Sequence, residues 1–231
     1  MEELHYRHEY KYPLSEGQIR IEDAKISAIA CKDPYVGERN FYHIRSLYFD
    51  DYDNSCYMEN VNGADNREKY RIRIYNGSTD RINLELKRKI RGKSCKSVCQ
   101  ITLSQCEQLM RGNIPGEIRP EQRVLHKLSY LMAVRLMRPV VIVDYDRVPY
   151  VYRVKDANVR VTFDRNITSV GRVDTFLDRK LCGRGVLPAG NALMEVKFDS
   201  FLPGEIYSLL QLEGLTASTF SKYYLCRKFM G

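Results

Sequence analysis

Five short segments of this chain alternate charged and apolar residues, and most of the charges are basic. They are Arg7-His8-Glu9-Tyr10-Lys11, Arg71-Ile72-Arg73-Ile74, Leu84-Glu85-Leu86-Lys87-Arg88-Lys89, Arg160-Val161-Thr162-Phe163-Asp164 and Met194-Glu195-Val196-Lys197-Phe198. Side chains of an extended strand alternate between its two faces, so each segment gathers its ionic residues on one side. One such strand is an ordinary half-buried strand with its charges in water. Five of them, biased to Arg and Lys with isolated carboxylates, describe a sheet built to hold a polyanion and a metal. The alternative to solvated faces is a closed barrel with its charges inside and its apolar faces packed under helices. Burying several like charges without a counter-ion costs too much to be tolerated, so such a lumen needs a bound polyanion, or water and counter-ions. Arginine offers phosphate a planar fork and lysine a compact point charge. The few carboxylates suit a hard divalent cation, which takes oxygen ligands.

The rest of the sequence narrows the setting. A length of 231 residues allows one domain with a sizeable core, and no stretch reads as a linker or repeat, so residues 1–231 are expected to form a single domain. Lys and Arg number 37 against 29 Asp and Glu, a formal charge of +8 that favours an anionic partner. The seven cysteines are odd in number and contain no Cys-x-x-Cys pair, which fits reduced thiols in a cytoplasmic protein. Neither Cys95-x-x-x-Cys99 nor the spacing of His5, His8, His43 and His126 reads as a metal site. Asp144 and Asp146 read as strand-end charges, with metal binding the alternative, and Asp50 and Asp51 as residues that cap or terminate an element. The N-terminal residues form no apolar signal region, and the longest aliphatic run, Val140-Val141-Ile142-Val143, is far short of a membrane span.

Two capping boxes, Ser15-x-x-Gln18 and Thr102-x-x-Gln105, predict helices over about 16–30 and 103–111. Asp53 is expected to cap a short helix ending near Gly63. Further helices are predicted at about 120–137, 203–213 and 218–229. Beyond the first charged segment, strands are expected at about 45–50, 69–76, 81–90, 139–147, 149–154, 158–164 and 192–199. Asn76-Gly77-Ser78 marks a hairpin turn, and Pro149 a turn between two strands. The glycine-rich stretch from Thr168 to Asn191 reads as a long loop. Strands without βαβ alternation argue an α+β fold with a mostly antiparallel sheet.

The ordered segments Arg7-x-Glu9-x-Lys11, Ser46-Leu47-Tyr48-Phe49-Asp50, Tyr70 to Tyr75, Glu85 to Lys89, Tyr145-x-Arg147, Val159 to Asp164, Met194 to Lys197 and Phe220-Ser221-Lys222-Tyr223 resemble the VTC domain. That domain is the polyphosphate polymerase module of the triphosphate tunnel superfamily. The resemblance implies a closed eight-stranded antiparallel β-barrel, a tunnel with a polar basic interior surrounded by helices. It implies transfer of the terminal phosphate of ATP to a growing polyphosphate, releasing ADP, with a divalent metal, Mn2+ or Mg2+. Carried over by position, Lys11, Arg71, Arg73, Lys87, Arg147 and Lys222 would act on the phosphates. Arg7, Lys89, Lys96, Arg160 and Lys197 would be further substrate-binding residues. Glu195 would be the main metal ligand, with Glu9 and Glu85 beside it. The partners implied are ATP and polyphosphate rather than nucleic acid, and no membrane span is expected.

Two positions depart from the pattern. Superfamily hydrolases and cyclases begin Glu-x-Glu-x-Lys, and Arg7 replaces the first of those carboxylates. Catalytically studied relatives carry a base three residues before the last-helix lysine, where this chain has Thr219; that phosphate contact is then either missing or supplied by Arg227 or Lys228. A tunnel triphosphatase and a polyphosphate-binding module without turnover stand as the alternative readings.

Overall fold

The alternating segments form strands of one sheet. The structure, a computed structural model, describes residues 6–154 and 157–229. In chain order the elements are β1 (His8–Leu14), α1 (Glu16–Ser27), β2 (Cys31–Lys32), β3 (Tyr42–Asp50), α2 (Ser55–Val61), β4 (Arg67–Tyr75), β5 (Ser78–Ile90) and β6 (Lys93–Ile101). There follow α3 (Leu103–Met110), α4 (Arg123–Arg135), β7 (Arg138–Val154), β8 (Ala157–Val170), β9 (Arg184–Gly185), β10 (Ala192–Phe198), α5 (Gly204–Leu209) and α6 (Lys222–Lys228). The architecture is α+β, with helices packed on both faces of a large antiparallel sheet. Its main path runs β1-β10-β8-β7-β3-β4-β5-β6, and the short β2 and β9 pair with β7 and β8. Among the described residues no helix is long and apolar enough to cross a membrane.

The expected closed barrel is corrected: among the described residues no hydrogen-bonded ladder joins the two edges. β1 and β6 meet at one isolated bridge, where Arg7 and Ser94 exchange backbone bonds of 2.9 Å. Side chains span the same seam, with Lys87 of β5 on Glu9 of β1 at 2.7 Å. The sheet therefore curls until its edges touch, giving a trough with a seam.

Burial decides which face is concave. Tyr70, Ile72, Ile74, Leu84 and Leu86 alternate with the charged residues of β4 and β5 and are buried with Leu109 of α3 and Leu125 and Leu128 of α4. On the other flank Tyr12, Leu14, Val161, Phe163, Met194 and Val196 pack with Ile19 and Ile26 of α1 and Ile206 of α5. Each fully buried Leu, Ile or Phe contributes about 1.5–3 kcal/mol. A one-residue slip would forfeit all of them and press bases against the helices, so the register is firmly set.

The concave face is not polar throughout, which corrects a second expectation. Ile44, Val141, Val143 and Leu193 share it and pack against Phe220, Tyr223 and Cys226. Helix α6 thus lies inside the curl, filling part of the trough with apolar contacts.

Local signals were mostly sound. Both capping boxes form, with Gln18 accepting from the Ser15 amide at 2.9 Å and Gln105 from the Thr102 amide at 3.0 Å. Asn76 and Gly77 turn the β4–β5 hairpin with φ of 53° and 70°. Helix α2 is capped not by Asp53 but by Asp51, which accepts from the Ser55 amide, and Asp50, which accepts from the Cys56 and Tyr57 amides. Pro149 lies within the continuous β7 instead of ending a strand. Pairing to β3 has finished at Arg147 and pairing to β2 starts at Tyr150, so Pro149 sits where no ladder bond to those strands is required. The eighth strand of the main path is β6, which carries Lys96. Strand β8 runs on to Val170, so the loop after it is shorter than expected.

Candidate functional site

Charged residues of six elements converge on one cavity of about 370 Å³. Strand β1 supplies Glu9 and Lys11; β4 supplies Arg67, Lys69, Arg71 and Arg73; β5 supplies Lys87 and Lys89; β7 supplies Tyr145 and Arg147. Strand β10 adds Glu195 and Lys197, and α6 adds Lys222, with residues 217–221 forming the wall before it. Ten bases thus face two carboxylates across the lining.

Each carboxylate is shared among bases. Glu195 contacts Lys197 and Lys222 at 2.6 Å and Arg147 at 3.3 Å. Glu9 contacts Lys87 at 2.7 Å, Lys197 at 3.5 Å and Lys11 at 3.8 Å. Burial alone would raise both carboxyls, yet the surrounding lysines hold them well below the usual carboxylate range. Lys11 is anchored by donating to the Phe220 carbonyl at 2.9 Å. Arg71 donates to Glu85 at 2.7 Å and to the Tyr48 hydroxyl at 2.9 Å. Arg73 donates to Ser46 at 3.0 Å and to the Tyr145 hydroxyl at 3.2 Å. Burial pushes the Lys87 ammonium down to about 8, against the opposing pull of Glu9. It pushes Lys69 down to about 7, helped by Arg67 and Lys11.

The structure brings together Lys11, Arg71, Arg73, Lys87, Lys89, Arg147, Lys197, Lys222, Glu9 and Glu195. It leaves four expected site residues off the cavity wall. Arg7 sits at the sheet's end, paired with Asp199 at 2.8 Å. Arg160 is held by Asp33 at 2.7 Å and donates to the Tyr42 hydroxyl at 2.7 Å. Lys96 meets Glu85 at 2.9 Å, and Glu85 also binds Arg71 at 2.6 Å, with Arg73 at 3.8 Å. Glu85 is therefore placed as the counter-ion of these bases. Neither Arg227, which donates to Asn54 at 2.7 Å, nor the exposed Lys228 lines the cavity beside Thr219.

Two residues that the sequence reading passed over belong to the site. Asp164, fully buried, takes two 2.6 Å bonds from Arg147 and lies 2.5 Å from Lys222. Against the burial that lowers it, Asp164 and Glu195 raise the Lys222 ammonium. Asp164 closes an alternating segment, so the same period that marked Arg160 places it inward. Lys69 extends the Arg71, Arg73 alternation two residues upstream. Continuing the pattern to Arg67 and Lys69 would have found it.

Asp144 and Asp146 lie on the opposite face of β7 and clasp His43 at 2.8 and 3.0 Å, with Arg45 on Asp144 at 3.2 Å. Bonds to the two aspartates raise His43 to about 9. A histidine raised in the folded state adds stability that is complete below about 6.5 and lost as pH rises through about 9. Urea melts should therefore show wild type more stable than His43→Gln at pH 5.5, with the gap gone at pH 10. A constant gap would remove the charged His43 from the account. His5 lies outside the described residues.

Among the described residues no three acidic, histidine or cysteine side chains converge as a metal-ligand group. Glu9 and Glu195 still fit a hard cation. They are oxygen donors on adjacent strands, both on the cavity wall, and joined through Lys197. The seven cysteines are unpaired and line none of it.

A VTC domain family profile matches residues 6–230. A search of curated proteins finds no matching relative. Among solved structures the chain is similar to HpAC1 of Hippeastrum, an adenylyl cyclase candidate described as revealing a dominant triphosphatase activity. The identity is 13%, over 97% of this chain and 96% of that one, with a TM-score of 0.50. It is also similar to the PH1819 protein of Pyrococcus horikoshii, at 13% identity over 97% and 99% of the two chains and a TM-score of 0.49. At such identity the likeness is one of fold. The profile match, by contrast, runs through every strand that lines the cavity, and the chain belongs to the VTC domain family.

Proposed function

We propose that the cavity binds linear phosphate chains and that the protein is a polyphosphate polymerase, moving the terminal phosphate of ATP onto a polyphosphate end. The observation that carries this is the lining, ten bases against two carboxylates in one trough. Without ligand, Glu9, Glu85, Asp164 and Glu195 act as internal counter-ions that keep many of these bases paired. A phosphate chain competes for the same ammonium and guanidinium groups with more charge and more oxygens.

A terminal phosphate oxygen attacks the γ-phosphorus of ATP; the bond from that phosphorus to the ADP oxygen breaks, and ADP leaves with the electron pair. The chain-end phosphate is already a nucleophile, so no strong base is needed. The protein's task is alignment and charge neutralisation. Arg71 and Arg73, side by side on β4, hold donor phosphates. Lys222 and Arg147, fixed from behind by Asp164, present charge at a set position. A divalent ion held by Glu195 with Glu9 would offset charge on the phosphate oxygens.

Incubation with ATP and Mn2+ should yield ADP and a long acid-labile polymer. Tight polyphosphate binding with no ADP release would leave only a binding module. Thr219, standing where studied relatives carry a base, leaves that outcome open; a tunnel triphosphatase with water as acceptor is the second reading. The fold shared with HpAC1 is compatible with it, and orthophosphate without polymer would establish it. Arg71→Ala and Arg73→Ala should each weaken tripolyphosphate binding about 10- to 100-fold, the worth of a charge-assisted bond. Unchanged affinity in both, by calorimetry, would discard the inward-facing phosphate site.

A further inference from the structure

Most bases of the cavity have a carboxylate partner, but one group at the α2 side does not. Arg67 on β4 and Lys89 on β5 are direct cross-strand partners on the concave face, and Lys69 follows Arg67 on that face. Like charges placed directly opposite destabilise a sheet. No carboxylate bonds to them, Glu59 and Asp65 acting only at longer range: Lys69 donates to Asn60 at 2.9 Å and Ser221 at 3.2 Å, and Arg67 donates to the same Asn60 oxygen at 3.3 Å. Among the described residues no carboxylate lies within ion-pair distance of Arg67, Lys69 or Lys89. Lys69 also lies 5.0 Å from the centroid of the Tyr223 ring, so its ammonium is held on the wall rather than swung into water. Thr219 lines the same cavity, two residues before Ser221. A half-buried group of three bases that pairs with no carboxylate is costly unless an anion is its working partner.

We propose that Arg67, Lys69 and Lys89 form a further phosphate subsite, bracketed by Asn60, which makes the contact that Thr219 cannot. The inference rests on the phosphate-chain reading of the cavity and adds to it a chain-length preference. A short phosphate fills the set around Glu195, whereas a longer chain reaches the Asn60 group as well.

The test is calorimetric binding of pyrophosphate and of long-chain polyphosphate to wild type, Lys69→Met and Lys69→Arg. The expected result is a loss of at least about tenfold for the long chain in Lys69→Met, little change for pyrophosphate, and retention of both in Lys69→Arg. The melting temperature of ligand-free Lys69→Met should equal or exceed that of wild type, since an uncompensated charge has gone. Long-chain affinity unchanged by Lys69→Met, or a melting temperature well below wild type, overturns the subsite while leaving the cavity reading intact. Failure of wild type to bind either ligand overturns the cavity reading and the subsite with it.

Discussion

Asp164→Asn should destabilise the ligand-free protein by about 3–5 kcal/mol, the cost of removing one partner from a buried ion pair. Asp164 is fully buried and does not touch the cavity, so it cannot be exchanged for solvent. It holds Arg147 through two bonds and Lys222 through a third, and both bases lie almost wholly inside the protein. Asparagine keeps the shape and removes the charge, leaving two cations to share Glu195. Tripolyphosphate should restore much of the lost stability, because a ligand that binds only the folded state stabilises it by mass action. Chemical denaturation with and without tripolyphosphate reads both effects. A variant that melts like wild type would show that Arg147 and Lys222 do not depend on this carboxylate.

The second large effect concerns Glu195→Gln, and its two parts have opposite signs. Metal-dependent phosphate transfer from ATP should fall by about 100-fold or more, the scale seen when a well-placed electrostatic group is removed. Binding of tripolyphosphate in the absence of metal should tighten. Glu195 occupies Lys197 and Lys222 at 2.6 Å, and the amide releases both to the incoming anion. Circular dichroism controls for folding. Full activity would remove Glu195 from metal binding. Weaker metal-free binding would mean that the carboxylate orders the lysines instead of competing for them.

Much of this site was legible because strand periodicity is strict. Glu9 and Lys11, Arg71 and Arg73, and Glu195 and Lys197 lie on one face by arithmetic, and burial of the intervening Ile72 and Val196 turns that face inward. Other features were hidden for identifiable reasons. Val140 to Val143 is a continuous apolar run, so it gave no hint that Val141 and Val143 would carry α6 inside the curl. Pro149 read as a turn because the missing amide matters only where a neighbour needs it, and sequence does not reveal where β3 stops. The seam between β1 and β6 depends on how far ten strands curl, a property of the whole sheet. Arg160 and Arg7 have the right period, but distance along the strand places them beyond the cavity wall.

The ends of the sheet's path have a consequence for how the protein is made. Among the described residues strand β1 finds its ladder partner only in β10, and the Ser218 amide donates to the Lys11 carbonyl at 2.8 Å. These contacts join residues about two hundred positions apart, so folding is dominated by non-local pairing and should be slow for the chain's size. During synthesis β1 waits as an open edge while most of the sheet assembles, the state in which strand-rich chains are most exposed to misassociation. Lys11 and Lys222 come from opposite ends of the chain, so the proposed phosphate binding would report completion: a chain arrested before residue 222 carries most of the bases yet lacks the assembled cavity.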